Sequence, residues 1–369
     1  MKKITTLLTA IIGMAFMNQV SATHVTVEVP TAGQLSSLVQ NANCDSITIS
    51  GNLDGNDFWF IREQMPNLIY LNIGKVTVPD NKLPESGLYS KKALQKIILP
   101  DNLGTIGNHA FAYCSNLKDI TFPKSLVTIE YNAFYQSGLT EATLPDKLKN
   151  IGDAAFYECY NLKKVNFPEK LVSIGNSAFR QCNLSEIAFP DSLKAIGSNA
   201  FRYCQQLQKV TFPEKLETIG THAFNDCFRL HTATLKGKTA PVISDNTFNY
   251  TKVFYVPEGA AQTYKEAPNW SNLVIIDGNT PKKITVTLTT AGTLGEEILK
   301  QVDYVKQVNE LVINGPLNSD DFYQIQQQTT NLIAIDLIGA TIESLPENFF
   351  YERTALLDIK LPATLKNIG

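Results

Sequence analysis

The 369-residue sequence predicts an α/β repeat solenoid, and three observations point to it. A unit of 22 or 23 residues recurs six times without interruption between Leu94 and Arg229. Each unit opens with an apolar/polar alternation closed by proline, the signature of a short strand with one buried face. Each then runs through a glycine and a small polar residue to an Ala-Phe pair, which reads as a tight turn entering a short helix.

The copies begin at Leu94, Leu117, Leu139, Leu162, Leu184 and Leu207 and share the pattern LxxIxFPxxLxxIGxxAFxxC. In the first half, the second apolar residue and the aromatic alternate with polar ones. The proline that follows has no N–H to give to a ladder, so the strand stops there. Leucine and isoleucine three apart, as in Leu103 with Ile106 and Leu126 with Ile129, are expected to point inward from a loop. The glycine behind them is expected at positive φ, which it adopts at no steric cost. Next stands Asn108, Asp153, Asn176, Ser198 or Thr221, each a favoured helix N-cap, so the Ala-Phe pair is placed on one buried helical turn. The second copy carries Glu130 and Tyr131 in place of glycine and cap, and its turn is predicted to be the least regular.

One unit cannot stand alone. Six buried apolar side chains contribute about 2–3 kcal/mol each, short of about 1.5 kcal/mol of ordering entropy for every residue of the unit, so stability must come from stacked neighbours. Divergent segments on either side are expected to cover the two apolar ends. Residues 23–93 read as an N-terminal cap of irregular repeats, with strand-like runs at 46–49 and 68–71 and with Phe58 and Trp59 assigned to its core. Residues 94–229 are the six regular repeats. Residues 230–280 read as a closing module: strand, Pro-Glu-Gly turn, short helix and a final Trp270. The sequence then starts over, HVTVEVPTAGQL from His24 being echoed by KITVTLTTAGTL from Lys283. Residues 281–369 are thus expected to be the start of a second copy, stopping in mid-repeat at Gly369 as in a longer protein cut short.

With 44% hydrophobic and 18% charged residues the composition is that of a folded soluble protein. A net charge of −3 gives no broad positive field and argues against nucleic acid or an anionic membrane as partner. Lys2 and Lys3 precede an apolar run from Ile4 to Met17, and Val20-Ser21-Ala22 offers small residues for a cleavage site. Residues 1–22 therefore read as a signal peptide and the protein as exported. The run is shorter than the roughly 20 residues a bilayer requires, and no later segment approaches that length.

Over residues 94–229 the array resembles the bacterial surface leucine-rich repeats of the BspA type, whose hallmark is the LxxIxFPxxLxxIGxxAFxxC unit. The resemblance implies a leucine-rich-repeat right-handed coil with a parallel concave sheet and short convex helical turns. It implies that residues 230–280 are the closing module common in that family. It also implies adhesion to host matrix proteins such as fibronectin and fibrinogen, or cell–cell aggregation, although no residue motif carries that specificity over.

Signals of chemistry are few. Cys114, Cys159, Cys182, Cys204 and Cys227 occupy one repeat position and form a column. Rungs about 4.8 Å apart lie within disulfide range by Cα distance, but stacked side chains point the same way, so free buried thiols are expected, with Cys44 placed in the cap. Neither histidines nor paired CxxC spacings are arranged for zinc. His24, His109, His222 and His231 show no spacing against a nucleophile and a carboxylate; His109 and His222 share one repeat position and are expected as solvated helix residues. No phosphate loop, HExxH, GxSxG or EF-hand loop is present. No enzyme, cofactor or metal site is indicated.

Two surfaces remain. Strand alternation places Lys96, Asp119, Glu141, Lys164, Glu186, Lys209 and Thr232 in one outward column, beside Ile98, Thr121, Thr143, Asn166, Ala188, Thr211 and Thr234. The first column mixes signs, which suits cross-strand ion pairing as well as recognition; the second lacks aromatics that would stack on sugar rings. The other surface follows each Ala-Phe, where Tyr113, Tyr135, Tyr157, Tyr160, Arg180, Arg202, Tyr203, Phe228 and Arg229 fall in equivalent places. Tyrosine and arginine dominate interface hot spots, although the same residues could simply cover neighbouring repeats. The function read from the sequence is a partner-binding scaffold for a protein on host or neighbouring cells. The alternative is a polysaccharide-binding or envelope-structural protein. The oligomeric state is left open.

Overall fold

The computed structural model describes residues 24–278 and 281–368; the signal peptide assigned to residues 1–22 lies outside the described residues. Each LxxIxF segment forms a short strand, from Lys96–Ile98 and Asp119–Thr121 to Lys209–Phe212 and Thr232–Leu235. These strands pair in parallel with equivalent residues abreast: Lys96 with Asp119, Glu141 with Lys164, Glu186 with Lys209. The ladder breaks twice, between 119–121 and 141–143 and between 164–166 and 186–188. Both breaks follow the 22-residue units that start at Leu117 and Leu162. With one residue fewer between turn and strand, the next strand does not reach hydrogen-bonding register.

Continuity across those breaks comes from a second sheet. The Leu–Ile segments, expected as loop, contain two-residue strands from Lys82–Leu83 and Thr105–Ile106 through to Thr218–Ile219, and seven of them pair in unbroken parallel order. Their isoleucines are buried, as the spacing predicts.

The segment after the glycine is not a helix but a chain of tight turns. In the first unit Ala110, Ala112 and Cys114 donate backwards to the carbonyls of Gly107, His109 and Phe111, while His109, Phe111 and Tyr113 donate across to Tyr131, Ala133 and Tyr135 of the next rung. A helix would direct all these N–H groups inward along its own axis. Alternation instead gives half of them to the neighbour, which ties rung to rung. The geometry needs two left-handed residues per unit, four apart: His109 and Tyr113, Asn132 and Gln136, Ala154 and Glu158, Ser177 and Gln181, Asn199 and Tyr203, His222 and Asp226. The second unit keeps this pattern despite Glu130 and Tyr131, so its turn is as regular as the others. The expected helix caps act between rungs: Asp153 Oδ1 accepts the Asn176 N–H at 2.7 Å and Asn176 Oδ1 the Ser198 N–H at 2.8 Å. Gly107, Gly152, Gly175, Gly197 and Gly220 do not have positive φ. Crowding demands glycine there, since a Cβ on Gly107 would sit 2.3 Å from the Leu83 carbonyl oxygen.

The core between the two sheets and the turns is a column of phenyl rings. Phe111, Phe134, Phe156, Phe179, Phe201, Phe224 and Phe248 stack with centroids 5.0–5.5 Å apart and nearly parallel planes. Phe122, Phe167, Phe189 and Phe212 meet this column edge-on, an arrangement their ring quadrupoles favour. The column ends on Phe254, Trp270 and Tyr264. Here Trp270 Nε1 donates to the Pro241 carbonyl at 2.9 Å and Tyr264 Oη to that of Gly237 at 2.8 Å, so the closing aromatics are buried without unsatisfied donors.

At the start of the chain, strands His24–Val29, Ser46–Asn52 and Tyr70–Thr77 prolong the first sheet and helix Gly55–Gln64 lies over it. Buried Asp57 fastens the helix, accepting the N–H groups of Gly33, Leu35 and Asp54 at 2.6, 2.9 and 3.0 Å. The C-terminal segment repeats the device: Asp321, on helix Ser319–Gln328, accepts from Gly292, Leu294 and Asn318 at 2.6, 3.0 and 3.0 Å. Each helix ends against a cation from the following turns, buried Lys91 in the first case and half-buried Arg353 in the second. Lys91 donates to the carbonyls of Met65 and Arg62, Arg353 to those of Thr329 and Ile325, matching charge to the negative end of the helix dipole. Residues 284–349 gather around their own apolar cluster, and Ile333 and Ala355 pack on Val253 and Ile276. Phe58 is core, but Trp59, expected beside it, is 52% exposed, because successive residues of a helix face different ways.

Candidate interaction surfaces

On the strand face Lys96, Asp119, Glu141, Lys164, Glu186 and Lys209 are all exposed and stand one per rung. Lys96 pairs with Asp119 at 2.7 Å. Glu141 with Lys164 and Glu186 with Lys209, though abreast, form no ion pair within 4.0 Å among the described residues. Their ammonium and carboxylate groups face solvent. The neighbouring column of small residues is aromatic-free from Thr121 to Thr234.

On the turn face the tyrosines and arginines form two columns rather than one, set by the rung-to-rung hydrogen bonds. Tyr89, Ala112, Tyr135, Tyr157, Arg180 and Arg202 make the first; Ser90, Tyr113, Gln136, Glu158, Gln181, Tyr203 and Asp226 make the second. Tyr113 therefore stands beside Ala112 and fills the gap it leaves, edge-on to Tyr89 at 5.4 Å and to Tyr135 at 5.0 Å. Tyr135 stacks on Tyr157 at 5.3 Å. The Arg180 guanidinium then lies 5.3 Å from the Tyr157 ring and 5.7 Å from that of Tyr203, and Arg202 lies 4.8 Å from Tyr203. Tyr113, Tyr135, Tyr157, Arg180, Arg202 and Tyr203 are half-buried, so each offers an edge to solvent from a fixed position.

A first-column side chain meets the second-column side chain one rung on. Tyr135 Oη donates to Glu158 Oε2 at 3.4 Å, and Arg202 Nε to Asp226 Oδ2 at 3.2 Å. Desolvation pulls the Glu158 carboxyl up, but hydrogen bonds from Gln136, Tyr160, Tyr157 and Tyr135 outweigh it and hold the group below its ordinary value. Burial, reinforced by that carboxylate, pushes Tyr135 upward and Tyr160 up to about 12. Glu158 is thus an ionised acceptor at the centre of a phenol cluster. Tyr160 and Phe228 are exposed, Phe228 edge-on to Tyr250 at 4.9 Å. Tyr89, His109, Asn132, Tyr113 and Tyr135 line an open cleft of about 340 Å³. Sequence reasoning missed Tyr89, Glu158 and Asp226. Tyr89 precedes the first regular unit, and the two acids sit at a position filled elsewhere by glutamine or tyrosine.

The six cysteines are free and buried. Within the column each thiol donates to a carbonyl of a preceding rung, Cys159 to Phe134 at 3.0 Å and Cys182 to Phe156 at 3.1 Å. Ser137 takes the same position in the second unit. His109 and His222 are left-handed turn residues, not helix residues. No group of three or more His, Cys, Asp or Glu side chains among the described residues is placed to hold a metal, and no helix among them is long and apolar enough to cross a membrane.

Two ladders of parallel strands, each taking one strand per unit and together enclosing a column of leucine, isoleucine and phenylalanine, define a leucine-rich repeat solenoid. The chain belongs to the BspA type leucine-rich repeat family, whose model matches residues 81–193, 172–256 and 305–369 in six copies. No curated protein matches the sequence. Among solved structures it is similar to a leucine-rich repeat protein of Bacteroides ovatus: 22% identity over 94% of this chain and 83% of that one, with a TM-score of 0.46. A leucine rich cell surface protein of Faecalibacterium prausnitzii is 18% identical over 92% and 87%, with a TM-score of 0.42. The pneumococcal vaccine antigen PcpA is 18% identical over 65% and 80%, with a TM-score of 0.30. The family is one of protein-binding scaffolds associated with bacterial surfaces.

Proposed function

We propose that this protein is exported and works at the cell surface as a non-catalytic scaffold that holds a protein partner through its turn face, in the manner of an adhesin for a host matrix protein. The carrying observation is the uninterrupted row Tyr89–Tyr113–Tyr135–Tyr157–Arg180–Tyr203, each member touching the next. Such a row presents aromatic and guanidinium edges already held in place, so little side-chain entropy is lost on binding. The strand-face set Lys96, Asp119, Glu141, Lys164, Glu186 and Lys209 suits a lesser role, since exposed charges of mixed sign add little affinity. Cross-linking of the purified protein to captured matrix proteins, with the linked residues mapped, tests the assignment. Links on the turn face are the expected result. Failure to capture any protein, or hydrolase activity of the purified chain, would count against it. One observation favours a second reading, a glycan ligand: the tyrosine-lined cleft at Tyr89, Tyr113 and Tyr135. Glycan-array binding lost on replacing Tyr113, Tyr135 and Tyr157 would establish that reading instead.

A further inference from the structure

On the turn face, the charge of Arg180 is answered by no carboxylate among the described residues. The Arg180 guanidinium is held between the rings of Tyr157 and Tyr203. Its Nε is buried with no acceptor, and no described carboxylate lies within 4.0 Å of its nitrogens. One rung on, the same position shows what would complete it. There Arg202 donates through Nε to Asp226 Oδ2 at 3.2 Å. For Arg180 the residue in the place of Asp226 is Tyr203, which offers a ring and not an oxygen pair. Glu158, one rung back, is engaged by Gln136 and Tyr135.

Resting on the scaffold reading above, we propose that Arg180 is the anion-receiving point of the turn face and takes a side-chain carboxylate from an acidic segment of the protein partner. A planar guanidinium with fixed faces matches a carboxylate through paired N–H donors. Because Nε is enclosed, the carboxylate approaches end-on, to the terminal nitrogens. A peptide side chain suits this approach better than an anionic polysaccharide. The Tyr157 ring is taken up by Tyr135 and Arg180, and the Tyr203 ring by Arg180 and Arg202. The two rings that hold Arg180 thus already have neighbours where a sugar ring would stack, whereas a single carboxylate on a flexible stem needs no such ring.

The test is fluorescence anisotropy of a labelled peptide of alternating glutamate and glycine against the whole chain at physiological ionic strength, with polygalacturonate as a second probe. Arg180→Gln removes the donor, Tyr203→Asp supplies an internal acceptor in the manner of Asp226, and Arg202→Gln is the matched control because Arg202 is already paired. The peptide is expected to bind wild type and to lose tenfold or more in affinity with Arg180→Gln and with Tyr203→Asp, the weight of one charge-assisted hydrogen bond. Arg202→Gln should stay within about twofold, as expected where a charge is already satisfied. Tyr203→Asp should keep or raise the melting temperature, which separates loss of the site from loss of the fold. Equal binding by wild type and Arg180→Gln would overturn the proposal, as would an equal loss in Arg202→Gln. Arg180-dependent binding of polygalacturonate without the peptide would overturn the choice of partner. A protein cross-linked to the turn face of both wild type and Arg180→Gln would sink this assignment and leave the scaffold reading standing; no captured protein at all would sink the scaffold reading itself.

Discussion

Stacking five thiols in a dry column makes this solenoid sensitive to alkali, and the size of the effect follows from their burial. Burial pushes Cys114, Cys159 and Cys204 from 9.0 up to about 12, and Cys182 and Cys227 well above 9.0. Above pH 9 the unfolded chain therefore releases protons that the folded chain retains. The unfolded state binds fewer protons, so stability falls as pH rises. Each thiol contributes about 1.4 kcal/mol per pH unit in that window. Lys91 has the opposite sign. Burial at the helix end pushes it down to about 8, so between about 8 and 10.5 the unfolded chain is the more protonated and stability rises with pH, by a similar amount per unit. Five thiols opposed by one lysine leave a net loss that steepens from about 2 kcal/mol per unit at pH 9 to roughly 5 kcal/mol per unit near pH 10. Urea unfolding followed by circular dichroism, under reducing conditions at a series of pH values between about 8 and 10, measures it. Cys182→Ser is the companion variant, because Ser137 already stands in this column against Cys159 at 3.3 Å. It should fold and should lower the slope by about 1.4 kcal/mol per unit. A stability that is flat across this range, or a slope that Cys182→Ser leaves unchanged, would refute the reasoning.

Three further outcomes follow from the packing. Phe156→Ala interrupts the phenyl column between Phe134 and Phe179 and should cost about 3–5 kcal/mol in denaturant unfolding; a loss under about 1 kcal/mol would mean the stack closes over the gap. Asp57→Ala leaves the buried N–H of Leu35 and the half-buried N–H groups of Gly33 and Asp54 without that acceptor and should destabilise the N-terminal segment by about 2–3 kcal/mol, seen as faster amide exchange in residues 24–64 than in the repeats. Ala154→Gly relieves a left-handed alanine, φ 51°, and should raise stability by about 0.5–1 kcal/mol, read as a higher urea midpoint.

The strand half of each unit was legible because its alternation and closing proline admit one conformation. The turn half was misread for a physical reason. Asn, Asp, Ser and Thr are favoured both as helix N-caps and in left-handed turns, since a short polar side chain satisfies nearby backbone in either setting. Asn176 uses that ability between rungs, accepting from Ser198, a partner 22 residues away that no local pattern reveals. The second sheet escaped notice because two residues such as Thr105–Ile106 are too few to show a period. The phenyl column could be counted from the sequence, but its coaxial stacking depends on rung spacing. On the turn face the composition was visible and the arrangement was not. Tyr113 and Tyr135 look equivalent when counted from Ala-Phe loosely, yet they stand one residue apart along the rung, and only the cross-rung hydrogen bonds separate their columns.

That one-residue offset governs how the surface acquires specificity. The leucines, isoleucines, glycines, Ala-Phe pairs and cysteines are consumed by strand, close approach, stack or thiol column, so substituting any of them changes stability before it changes recognition. The two turn-face columns are free of that duty, and their pairing runs obliquely, each first-column side chain meeting the second-column one a rung later. A unit can therefore be silenced or opened by its neighbour. Asp226 silences Arg202; Tyr203 leaves Arg180 open; Glu158 gathers the phenols of Tyr135, Tyr157 and Tyr160. Swapping the second-column residue while keeping the first should move the open cation along the solenoid at no cost to the core. A Tyr203→Asp, Asp226→Tyr double variant that shifts acidic-peptide binding from Arg180 to Arg202, mapped by which arginine's replacement then abolishes it, would demonstrate that oblique pairing alone writes the pattern. Binding that stays with Arg180 in the double variant would show instead that the surroundings of that rung, and not the missing acid, select it.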